Sequence, residues 1–277
     1  MSATIDTPQS RAEHTPTIRV TQTRVIRSEW KKLWSLRSTR WCLLLAVVIM
    51  IAAPIIYSLV EMSQWSTLGH HDRTTFDSID ASAGGHYLAQ LAIGFLGVLT
   101  VSGEYATGMI RSSFMAVPRR LPVLWAKLAV FATVVFVLML ASSVIAFFIT
   151  QTIVSVHHVN QSITAPHAAR VVIATALVIT IVGMLSVALG ALTRSTAGGA
   201  AILVFLMFVL SGVAALLPRS ISNDINPYLP INAAYTAATS TFDPGPHLST
   251  WGGFGIFSAL VVIIIALGAA RFRHGDA

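Results

Sequence analysis

The residues of this chain that could do chemistry are few, and they sit toward the ends of apolar stretches. Seven of nine histidines, His70, His71, His86, His157, His158, His167 and His247, fall on what reads as the outer side of the apolar runs. Neutral imidazole binds metal and titrates near physiological pH. Their spacings match no metal motif such as HExxH, so scattered loop histidines stand as the alternative to a metal site, and no metal is assigned. The one cysteine, Cys42, rules out an intrachain disulfide and a Cys-ligated metal. The three lysines lie in Trp-Lys-Lys, Lys-Lys-Leu and Ala-Lys-Leu. None belongs to a Gly-Lys-Ser/Thr phosphate loop, so the chain carries no nucleotide site of that kind. No Gly-x-Ser-x-Gly elbow is present. A lipid-acting membrane enzyme would need a converging acid, base or metal set, and the His and Asp residues do not converge by spacing.

Two stretches concentrate charge. Thr21–Arg40 (TQTRVIRSEWKKLWSLRSTR) places Ile26, Trp30, Leu33 and Trp34 on one helical face, with Arg27, Ser28, Lys31, Lys32 and Ser35 on the other. That pattern predicts a helix lying in the membrane interface, tryptophans at headgroup depth and basic groups toward phosphates. A topology-setting flank is the simpler alternative. Val101–Lys127 combines Glu104, Arg111, Arg119 and Arg120 with Gly103, Gly108, Pro118 and Pro122. Two short helices broken near Pro118 would suit it, and such a loop can dock a soluble partner or simply set topology. Glu104 falls where an apolar run ends. A carboxylate there is costly unless paired or wetted, so it should bond to a basic group or cap a helix.

The elements that must position these residues follow from composition. The 277 residues are 55% hydrophobic and 10% charged, far below the roughly 25% charged of soluble domains. Crossing a hydrocarbon core of ~30 Å takes about 20 apolar residues. Six runs qualify, at 41–60, 85–102, 123–149, 171–192, 197–217 and 251–270. The second is the weakest, and the third is long enough to tilt. The fourth and fifth form a tight hairpin around Arg194, which can snorkel to headgroups. Lipid satisfies no backbone group, so the expected fold is all-α, with six transmembrane helices after an interfacial helix. Gly183, Gly190, Ala197, Gly198 and Gly199 are expected to let helices approach closely. Residues 1–20 read as a disordered leader, and 21–277 as one membrane domain.

With both termini inside, 15 of the 18 basic residues lie on the inner side, leaving Arg73, Arg170 and Arg219 outside. The positive-inside rule therefore predicts both termini cytoplasmic. The net charge of +7 is explained by this flanking and implies no nucleic-acid partner. The spans hold almost no ionisable residue away from their ends, so energy for transport would enter from outside the membrane.

Arg27-Ser-Glu-Trp-Lys-Lys-Leu33, Gly103-Glu-Tyr-Ala-Thr-Gly108 with Pro118-Arg-Arg120 and Lys127, and Tyr228-Leu-Pro-Ile-Asn232 occur in this order between the expected spans. Together with the topology they resemble the type-2 ATP-binding-cassette (ABC) transporter permeases, the six-helix kind of many bacterial exporters. The resemblance implies a second permease subunit, identical or related, and a cytosolic ATPase subunit. It places a coupling helix in the loop of Glu104, Gly108, Arg111, Pro118, Arg119 and Arg120. An interfacial helix bearing Arg27, Trp30, Lys31, Lys32 and Trp34 would lie beside it. It implies a multi-pass protein of the bacterial plasma membrane, exporting a small amphipathic compound, lipid or peptide, with no cofactor and no catalysis of its own. The alternative is a membrane anchor or assembly factor that moves nothing.

Overall fold

The computed structural model describes residues 21–109, 121–241 and 248–274. Every regular element among them is helical. Helix α1 (Gln22–Ser35) meets α2 (Arg37–Ser63) at the extended residue Leu36. Short helices α3 (His70–Thr75) and α4 (Ser78–Ala83) lead into α5 (His86–Ala106). Then come α6 (Leu121–Val154), continued by a 3-10 turn to His157, and α7 (Ala168–Thr193). Helix α8 (Thr196–Val204) runs through a π turn, Phe205–Val209, into α9 (Leu210–Ala215). Beyond lie α10 (Arg219–Ile225), α11 (Pro230–Tyr235) and α12 (Thr250–His274).

Six of these helical units are long and apolar enough to span a bilayer: 37–63, 78–106, 121–157, 168–193, 196–215 and 250–273. All six overlap the runs read from sequence. The second begins earlier than its apolar run, because Asp77 caps α4 by accepting from the backbone N–H of Ile79 and Asp80. The leader at 1–20 and the basic part of the 101–127 loop lie outside the described residues.

Helix α7 is the axis of the bundle. Its most apolar stretch is 78% buried, against 28% for α2 and 22% for the α8–α9 span. It reaches this position because small residues let its neighbours close on it. A Cβ at Gly97 of α5 would fall 2.7 Å from the Gly183 carbonyl oxygen, and one at Gly190 would fall 2.7 Å from that of Val98. Gly199 of α8 admits the Val98 side chain, whose Cγ1 would lie 2.7 Å from a Cβ there. Gly198 is looser: the nearest atoms to a Cβ there, at 3.6–3.7 Å, belong to Ser195 and to Thr193 at the end of α7. Ala197 is exposed, so the close-packing role expected for these two is not theirs.

Pro54 lies inside α2, and a proline cannot donate to the carbonyl one turn earlier, here Met50. The backbone of Gly85 fills the gap: a Cβ at residue 85 would sit 2.6 Å from the Met50 oxygen and 2.9 Å from its Cα. The joint between α4 and α5 thus sits on the one turn of α2 that the proline has left without its donor.

The backbone contact at residue 190 gives a direct test. Gly190→Val should cost roughly 1–3 kcal/mol or abolish folding, since the neighbour it strikes is main chain. Gly212→Ala, where a Cβ meets nothing within 4 Å, should be neutral or stabilising by about 0.5–1 kcal/mol. Thermal unfolding in detergent reads both.

Candidate functional site

Four charges from three helices meet at one end of the bundle. On α1, Val25, Glu29 and Leu33 recur at one-turn spacing and are buried. Val25 sits with Val123 and Ala126 of α6, and Gln22 Nε2 donates to the Pro122 carbonyl at 3.3 Å. These contacts turn Glu29 inward, where it is 3% exposed. Glu104 occupies the last turn of α5 and Lys127 the second turn of α6, and both are buried. Lys127 Nζ donates to Glu29 Oε2 at 2.7 Å and to Glu104 Oε1 at 2.8 Å. Lys32 Nζ donates to Glu29 Oε1 at 2.7 Å and to Glu104 Oε1 at 3.2 Å. Each ammonium bridges both carboxylates, so the four groups form a closed, neutral ring.

Neutrality makes the burial tolerable. Burial pushes the Glu29 carboxyl up, but Lys127 and then Lys32 outweigh it and hold the group below the ordinary glutamate value. Burial pulls Lys32 down, and the two carboxylates more than reverse this, raising it above the ordinary lysine value. The stability that Glu29 contributes is therefore present above its unfolded value of about 4.3 and lost as pH falls through the lower folded value. That of Lys32 is present below about 10.4 and lost as pH rises through the higher folded value.

Glu104 meets the requirement its position imposed, with two lysines as its basic partners. Gly108 ends α5 in the left-handed region, φ 71°, with its N–H on the Tyr105 carbonyl at 3.2 Å. This is the usual place for glycine after a helix. Arg111, Pro118, Arg119 and Arg120 lie outside the described residues. Arg27, Trp30, Lys31 and Trp34 are exposed on α1. The Trp30 and Trp34 rings are 6.0 Å apart. Lys32 alone of that group turns into the ring. Glu29 was not singled out from sequence, although it is the single acid in a basic lead-in and shares a stripe with Val25 and Leu33.

At the same end, the Arg194 guanidinium lies 5.2 Å from the Tyr105 ring centroid. The opposite end is latched by polar contacts. Arg170 donates to the carbonyls of Ala237 and Thr239. Asp80 accepts from the Ser240 N–H at 2.6 Å and from the Thr239 hydroxyl at 2.9 Å. The Tyr235 hydroxyl donates to buried Gln90 at 3.1 Å. Leu229 and Pro230, from the Leu-Pro stretch, are buried and start α11. His157 stacks on Trp65, and His86 lies tilted against Tyr235 with ring centroids 4.0 Å apart. Among the described residues no group of three His, Cys, Asp or Glu could hold a metal.

Six apolar helices with charge gathered at their ends define a multi-pass membrane protein. A family profile described as ABC-2 family transporter protein matches residues 23–277, and the chain belongs to that family of transporter permeases. No curated protein matches it.

The ring is open to dissection. Lys127→Met leaves two buried carboxylates with one cation and should cost about 3–5 kcal/mol. Adding Glu29→Gln to it should recover part of that loss, giving a coupling of about 0.5–3 kcal/mol in a double-mutant cycle. Plotted against pH, unfolding temperature should hold a plateau between roughly pH 5 and 10. Glu29→Gln should weaken the acid limb of that plot.

Proposed function

We propose that this permease is the membrane half of an ATP-driven exporter, and that the ion ring ties its cytoplasmic elements into one moving unit. Both termini are cytoplasmic, by the distribution of basic residues, in the plasma membrane of a bacterial cell. The loop from Glu104 to Arg120 receives a separate ATPase subunit. A second permease subunit, identical or related, completes the path for a small amphipathic compound, lipid or peptide. Family membership supports the transport role. The observation that carries the rest is the ring itself. It fixes α1 to the end of α5 that opens the 104–120 loop and to the start of α6 that closes it. A push delivered to that loop then reaches α1 and the second and third spans together, with no loose joint between them.

The test is capture and turnover. Full-length chain purified from its native membrane should bring down an ATPase subunit, and vesicles holding the pair should move substrate only with ATP. Arg119→Glu should weaken capture. Glu104→Ala should lower stability as Lys127→Met does, and in the protein that remains folded transport-coupled ATP turnover should fall about tenfold or more. A chain that captures an ATPase but supports no flux would be an anchor. Flux undiminished without any ATPase would refute the proposal.

A further inference from the structure

Helix α1 carries three stripes at one-turn spacing. Val25, Glu29 and Leu33 face the protein. Ile26, Trp30 and Trp34 form a second stripe and are exposed. Arg27 and Lys31 form a third, also exposed. The sequence pattern put Leu33 with the tryptophans and Lys32 with the basic residues. The structure takes both inward, and the outward face keeps the tryptophans and the remaining full cations. Arg37, Arg40 and Trp41 at the start of α2 are exposed as well and extend that face.

This face has no anion of its own. Glu29 is the one acid between residues 21 and 60, and the ring has taken it inside. Among the described residues, none of Arg27, Lys31, Arg37 and Arg40 forms an ion pair. These like charges repel one another, and Arg37 and Arg40 also stand at the positive end of a helix dipole. An anion from outside the chain would offset both effects.

The tryptophans say which anion. Helix α1 runs beside the first two turns of α6: Gln22 bonds to Pro122, Val25 packs with Val123 and Ala126, and Glu29 meets Lys127. Trp125 projects from those same turns and is exposed, as is Trp41 at the start of α2. Four of the six tryptophans are thus exposed at this end, two of them on membrane spans and two on α1. Indole rings gather at the headgroup level of a bilayer, so the cations between them lie among lipid phosphates. A docked acidic protein would account for the charges and leave the four indoles without a reason.

We propose that the outward face of α1, with the start of α2, binds membrane phospholipids of net negative charge, of the phosphatidylglycerol class, in preference to zwitterionic ones. Arg27, Lys31, Arg37 and Arg40 supply the charge selectivity, and Trp30, Trp34 and Trp41 supply depth without selectivity. The surface does not depend on how transport is powered.

The experiment is native mass spectrometry of the purified full-length chain in detergent, titrated with phosphatidylglycerol or phosphatidylcholine of identical acyl chains. Phosphatidylglycerol should bind about tenfold more tightly. The preference should shrink as ammonium acetate rises from about 0.1 M to 1 M, where the screening length falls to about 3 Å. A cation near an anionic surface is worth about fivefold. Arg27→Gln with Lys31→Gln should therefore remove most of the preference and leave phosphatidylcholine binding unchanged. Trp30→Ala with Trp34→Ala should weaken both lipids and keep their ratio. Arg271→Gln with Arg273→Gln, two exposed cations at the end of α12, should leave the preference in place. Equal affinity for the two lipids, or a preference indifferent to salt, would overturn the proposal, and both are read on the unaltered chain. So would an equal loss in the α12 variant, which would mark general attraction to the basic end. Displacement of the lipid by an equal concentration of soluble glycerol phosphate would overturn it too. Loss of the preference when a captured ATPase subunit is present would assign the face to that protein instead.

Discussion

A charge removed from water must find its opposite, and in this chain that rule governs where α1, α5 and α6 meet at the basic end. Removing a single ion from water costs several kcal/mol even after relaxation. Three of the four ring residues are almost wholly buried, and the ring persists because each carboxylate is shared by two ammoniums. The geometry demands that α1, α5 and α6 converge within hydrogen-bond reach at one point. Elsewhere, the spans meet through small residues, apolar contact and neutral hydrogen bonds such as that between the Ser102 and Thr196 hydroxyls. Helix α7 is enclosed because Gly183 and Gly190 admit neighbouring side chains and backbone.

The two ends of the bundle are held by different means. The basic end uses full charges between helices. The opposite end uses Arg170, Asp77 and Asp80 to seize the main chain and hydroxyls of residues 237–241. Main-chain contacts of that kind fix a segment's path without a second ion. In this permease the ion ring makes one joint of α1, the end of α5 and the start of α6.

Much of this was legible in the sequence, for reasons that can be named. A run of about 20 apolar residues has no stable place but lipid, so the six spans were recognisable. Glu104 at the end of one announced its need for a basic partner or a helix to cap. What stayed hidden was non-local. Lys127 reaches Glu29 across 98 positions and Glu104 across 23, and no spacing rule links them. The early start of the second span depends on Asp77 acting both as a cap and as a partner of Ser240. The π turn at 205–209 has no marker in Phe-Leu-Met-Phe-Val. Gly85 has its meaning from a residue 31 positions away, Pro54, which cannot donate to the Met50 carbonyl that Gly85 packs against.

The account stands on the ion ring facing the cytosol, where an ATPase can reach it. Single cysteines placed in a Cys42→Ser background, at Lys31→Cys beside the ring and at Arg73→Cys near the opposite end, can be probed with a membrane-impermeant maleimide. The account predicts that residue 73 labels in intact cells and residue 31 only after the membrane is opened. Labelling of residue 31 in intact cells, with residue 73 protected, would contradict it.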